Sequence, residues 1–85
     1  MSWSHSFDKV TAEELEAKAA EFAASLPAEN FGQRQAEQVG LAVEQAKSMM
    51  AKLGGEHFYV SMHGHAHAAE PGPRDGFGLS VSRAD

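Results

Sequence analysis

His57 to His67 reads HFYVSMHGHAH, and the reading of these eleven residues decides the fold. Phe58, Val60, Met62, Gly64 and Ala66 take the even positions. His57, Tyr59, Ser61, His63, His65 and His67 take the odd ones. A period of two is the pattern of a strand with one apolar and one polar face. Residues 77–83, FGLSVSR, repeat it, with Phe77, Leu79 and Val81 set against Gly78, Ser80 and Ser82. Between the two runs lies AAEPGPRDG, whose Pro, Gly and Asp are turn chemistry. A β-hairpin is expected, with strands over about 57–66 and 77–83. SWSHSF, residues 2–7, alternates in the same way and predicts a further strand.

Two helices fill the interval. VTAEEL at 10–15 opens the first, over about 12–26. Thr11 can cap its first turn and Glu14 can reach back to the Thr11 amide, while Val10 and Leu15 form a hydrophobic staple. Glu13, Glu14 and Glu16 suit the positive end of the helix dipole. Leu15, Ala19, Phe22 and Leu26 make one apolar stripe, and Pro27 stops it. The second helix is expected over about 30–53, with Asn30 and Gln33 as a second capping pair. Its stripe is Val39, Ala42, Val43, Ala46, Met49, Met50 and Leu53, and Gly54-Gly55 ends it. At 1.5 Å per residue it is about 36 Å long, and a helix that outreaches so small a core rests on something else. Gly40 sits mid-helix, where glycine costs about 1 kcal/mol relative to alanine. A close backbone approach or open surface would account for it. Leu41 is apolar on the side opposite the stripe and hints at a second contact surface.

The apolar faces dictate the assembly. Trp3, Phe7, Phe58, Val60, Met62, Phe77, Leu79 and Val81 share one sheet face, and both helices must lie on it to bury their stripes. The fold class is α+β, a single-domain two-layer β-α-α-β-β unit with a helical hairpin packed on one face of a small antiparallel sheet. The opposite face carries Ser2, Ser4, Ser6, Tyr59, Ser61, Ser80, Ser82 and the histidines, with no cover from its own chain. His5 falls on the Trp3–Phe7 side, at the core margin, as a structural histidine.

Composition narrows the function. The 85 residues include no cysteine, so disulfides and thiolate metal sites are excluded. Such a thin core has only packing to hold it, and self-association is a common remedy. The net charge is −5, and the 7 basic residues are scattered singly, so no basic stripe exists to replace nucleic-acid counterions. No apolar run approaches the ~20 residues of a membrane span, and the polar start MSWSHSF lacks a signal pattern. A cytoplasmic protein with neither nucleic acid nor membrane as partner is expected.

Four histidines in eleven residues admit several chemistries. His63 and His65, two apart on a strand, stand about 6.5–7 Å from each other and can share an ion, as can His65 and His67. All three on one ion is harder, because i and i+4 are about 13 Å apart. Zinc asks for three or four ligands, so the rest would come from His57, Glu70, Asp75 or a second copy. Zinc is the one cofactor the pattern suggests; otherwise none is expected. Protonation near pH 6.5 would carry the net charge from −5 towards zero. Catalysis would need Ser61 with His63, or a histidine base with Tyr59, yet no acidic residue alternates onto this face to orient the base. No enzyme is expected. The plainest account is a half-polar strand that meets water or another protein. Gly64, between His63 and His65, marks a bulge or a close approach.

The hairpin YVSMHGHAHAAEPGPRDGFGLSVSRA, with the opening WSHSF, resembles small uncharacterised accessory proteins encoded by actinobacterial phages. The resemblance implies two helices before the hairpin, action in a bacterial host cytoplasm and no assigned chemistry, so no functional residue carries over from it. The expected function is that of a non-enzymatic, phage-encoded accessory protein. It would act by protein–protein interaction, as a homo-oligomer or on a host bacterial protein. Interface residues are expected at Leu41, Tyr59, Ser80 and Ser82. The alternative is an oligomer that sequesters a metal or a small anionic ligand with His57, His63, His65, His67 and Arg74.

Overall fold

The computed structural model describes residues 2–27, 32–66 and 75–85. The elements are β1 (Ser2–Val10), α1 (Ala12–Ser25), α2 (Gly32–Leu53), β2 (Phe58–His65) and β3 (Gly76–Arg83). The strands form one antiparallel sheet in the order β1-β2-β3, and both helices cover the same face. This is the expected α+β arrangement. Trp3, Phe7, Val10, Phe58, Val60 and Met62 from the sheet are buried against Leu15, Ala19, Val39, Ala42, Val43, Ala46 and Met50 from the helices.

β1 runs three residues beyond the expected 2–7. Phe7 lies opposite Val60 and Val10 opposite Phe58, so β1 takes three steps where β2 takes two. The extra residue is a β-bulge, which Lys9 accommodates at φ 50°. The bulge returns Val10 to the inner face, where it is fully buried beside Leu15. The staple expected of these two residues is thus also the last layer of the β1 core.

α1 starts as its sequence dictates. The Glu14 amide donates to Thr11 Oγ1 at 3.1 Å, and the Thr11 amide donates to Glu14 Oε1 at 3.0 Å. The hydrogen bond from the Thr11 backbone holds the Glu14 carboxyl below its ordinary pKa. Two left-handed glycines end α2, Gly54 at φ 74° and Gly55 at φ 103°, and the Gly54 amide donates to Met50 O at 3.0 Å.

Three details of the α2 reading change. Its expected cap at Asn30 lies outside the described residues. The buried stripe ends at Met50; Leu53, the last helical residue, is 45% exposed. Gly40 is open surface rather than a close approach, since a Cβ built on it meets nothing within 4 Å.

Candidate interaction surface

The outer face of the sheet is built in rows fixed by register. Ser2, His65 and Gly76 share one row; Ser4, His63 and Gly78 the next; Ser6, Ser61 and Ser80 the third; Tyr59 and Ser82 the fourth. Ser2, Ser4, Ser6, Tyr59, Ser61, His63, Ser80 and Ser82 are exposed. Serine and glycine dominate, so the face has low relief, and a three-residue serine ladder crosses it. Tyr59 is its one large exposed side chain with apolar area, 45% accessible.

The continuation of β1 past Phe7 puts an acidic residue here that the expected strand 2–7 left out. Asp8 borders a shallow concavity of about 260 Å³ together with Ser6, Tyr59, Ser61, Ser80 and Ser82. Alternation from Phe7 sets Asp8 outward with Ser2, Ser4 and Ser6, and the extra residue that follows returns Val10 to the inner face.

The histidines are dispersed. His63 lies across Gly78, and a Cβ built on that glycine would stand 2.8 Å from His63 Cε1. His65 is disposed similarly over Gly76, at 3.9 Å. Each ring therefore covers a cross-strand glycine, an arrangement that shields bare backbone. His57 lies six residues from His63, about 20 Å along the strand, too far to share an ion with it. Its Nδ1 is 4.0 Å from Asp85 Oδ2, whose carboxylate accepts from the Glu56 and His57 amides at 3.0 and 3.3 Å. Those backbone donors, Glu56 first, hold the Asp85 carboxyl below its ordinary pKa. His67, Glu70 and Arg74 lie outside the described residues. Asp75, the remaining candidate ligand, forms a largely buried ion pair with Arg34 of α2. Among the described residues no group of three or more His, Asp or Glu is placed to hold a metal ion. No helix among them is long and apolar enough to cross a membrane. His5 stacks on Phe22 with ring centroids 4.5 Å apart and meets Phe7 edge-on at 4.7 Å, at the core margin as expected.

On the inner face, Gly64 is a close approach. A Cβ built there would stand 2.6 Å from Trp3 Nε1, so the indole lies flat against bare backbone. The same indole N–H donates to Gln38 Oε1 at 2.8 Å, and Gln38 Nε2 donates to His65 O at 2.7 Å and Gly76 O at 3.3 Å. One buried glutamine thus ties α2 to all three strands. Sequence reasoning missed it, although the polar Gln35 and Gln38 extend the inward stripe of α2 by one turn at helical spacing.

One flank is left partly open. Phe77, Leu79 and Val81 are only half-buried, whereas Phe58, Val60 and Met62 of the neighbouring strand are at most 2% exposed. α2 packs over β3, and its line facing α1 passes through Ala36, Gly40 and Val43. At 100° per residue, Met49 turns about 140° from Ala36 by way of the buried stripe, towards the β3 side, whereas Leu41 turns about 140° in the opposite sense, onto the solvent side. Leu41 is 56% exposed and Met49 is half-buried.

Comparison with protein-family models, with curated proteins and with solved structures finds no match for this chain.

Proposed function

We propose that this chain is a non-enzymatic interaction protein that assembles with copies of itself. The observation that carries the reading is the unsealed apolar flank of Phe77, Leu79, Val81 and Met49. The inward apolar residues of β1 and β2 are buried, so the apolar row of β3 that stays partly open is the place for a partner. The uncovered Ser/His/Tyr face, with Tyr59, Ser80 and Ser82, is the second surface, free to meet a host protein. The implied role is that of the phage accessory proteins the hairpin resembles.

Light scattering of tag-free protein at tens of micromolar tests the reading. A mass twice that of the chain, or more, is expected; a strict monomer removes the reading.

A second reading rests on His63 and His65, which stand two residues apart on the same face, at a spacing of about 6.5–7 Å that one ion can bridge. Metal analysis of tag-free protein decides it. Stoichiometric zinc that survives dialysis supports a sequestering oligomer, and metal-free protein leaves interaction alone.

A further inference from the structure

The polarity of the β3 backbone specifies how two copies would meet. The Ala84 amide donates to His57 O at 2.8 Å, one step beyond the Phe58–Arg83 pair. Directly opposite residues are therefore hydrogen-bonded at this step, and antiparallel ladders alternate. Ser82, Ser80 and Gly78 then spend their N–H and C=O groups on β2. Phe77, Leu79 and Val81 turn theirs to the outer edge, where among the described residues no strand pairs with them. The residues with half-open apolar side chains are thus the same ones that offer backbone groups to a new strand.

The two edges of the sheet differ in protection. β1 ends in a bulge flanked by Asp8 and Lys9, and its inward side chains Trp3, Phe7 and Val10 are already buried. Bulges and charges are how edges are kept from pairing. β3 has neither proline nor charge from Gly76 to Ser82.

Resting on the self-association proposed above, we infer that two copies join β3 to β3, antiparallel about a two-fold axis at Leu79, into one continuous six-stranded sheet. A two-fold axis perpendicular to the sheet pairs residue i with residue j at constant i+j. Only even sums keep both helical layers on the same side. Centring on Leu79 places Leu79 opposite its own copy and Phe77 opposite Val81, so every inward pair is apolar. Outward, Gly78 meets Ser80 and Gly76 meets Ser82. Centring on Ser80 would instead set Phe77 against Arg83, which stands within 3.8 Å of Asp85. The apolar register is therefore preferred. The six strands would present one broad Ser/His face from both copies.

The chain has no cysteine, so single-cysteine variants report the register cleanly. Facing Cα atoms in a hydrogen-bonded pair are about 5.5 Å apart, within disulfide reach. Leu79→Cys, oxidised with diamide, which takes up the two electrons and two protons released, is expected to give a covalent dimer on a non-reducing gel. Ser80→Cys is expected not to; crosslinking of Ser80→Cys alone overturns the register. Val81→Pro removes an N–H that the β2 ladder does not use. Leu79→Lys puts a charge on the edge while its long stem lets the ammonium reach water. Both are expected to keep the far-ultraviolet circular dichroism of the parent and to halve the scattering mass, and Leu79→Lys decides if Val81→Pro unfolds. Folded variants that stay dimeric overturn the β3 edge and leave self-association intact through another surface. A monomeric parent protein overturns both.

Discussion

Three rings in this sheet lie over glycines, and the consequences differ by face. Trp3 is buried above Gly64, while His63 covers Gly78 from the solvent side. A methyl at Gly64 has to displace an indole held by Gln38, whereas a methyl at Gly78 pushes only the free end of an exposed imidazole. Gly64→Ala is therefore expected to lower unfolding stability by about 1–3 kcal/mol, as overpacking does. Gly78→Ala is expected to stay within about 0.5 kcal/mol of the parent, as surface changes do. Urea denaturation of both variants measures the contrast, and equal losses would contradict the assignment of faces. The sequence marked Gly64 as unusual, because alternation set a bare position in the middle of an apolar row. It did not name Trp3 as the neighbour, since that pairing depends on a strand more than fifty residues away in the chain.

At the scale of elements, what was legible was local. Thr11 and Glu14 wrote the start of α1, Gly54 and Gly55 the end of α2, and alternation the three strands. Local terms also predict a stabilising change. Gly40 is exposed within α2 and has open space around its Cα, so Gly40→Ala removes a helix penalty and introduces no clash. Its stability is expected to rise by about 1 kcal/mol, read from the urea midpoint at constant slope. A decrease would show that Gly40 is held against something. The bulge in β1 was not legible. Asp8-Lys9 reads as the end of a strand, because two charged residues interrupt an alternating run. Only the demand of Val10 for the core, together with Phe58 across the ladder, carries the strand on through Lys9 at positive φ.

For the whole molecule, the decisive link is Gln38. It accepts from Trp3 of β1 and donates to carbonyls at the end of β2 and the start of β3. Gln38→Leu keeps the bulk and strands the indole N–H in the core. A loss of about 1–3 kcal/mol is expected, the cost of a buried donor without a partner. Trp3 is the single tryptophan, so its fluorescence reports the change directly, and an unaltered spectrum would argue against the contact. By itself the sequence determined the element order, the helix ends and the division of the sheet into an apolar and a polar face. Each of these follows from propensity and periodicity, which act between residues close in the chain. Only the tertiary structure decided where the histidines stand, that β1 continues past Phe7 through a bulge, that a glutamine joins α2 to every strand, and that β3 alone is left half-covered. Those outcomes depend on register and packing between distant segments. A strand pattern fixes which side a residue faces but not which residue comes to lie across from it.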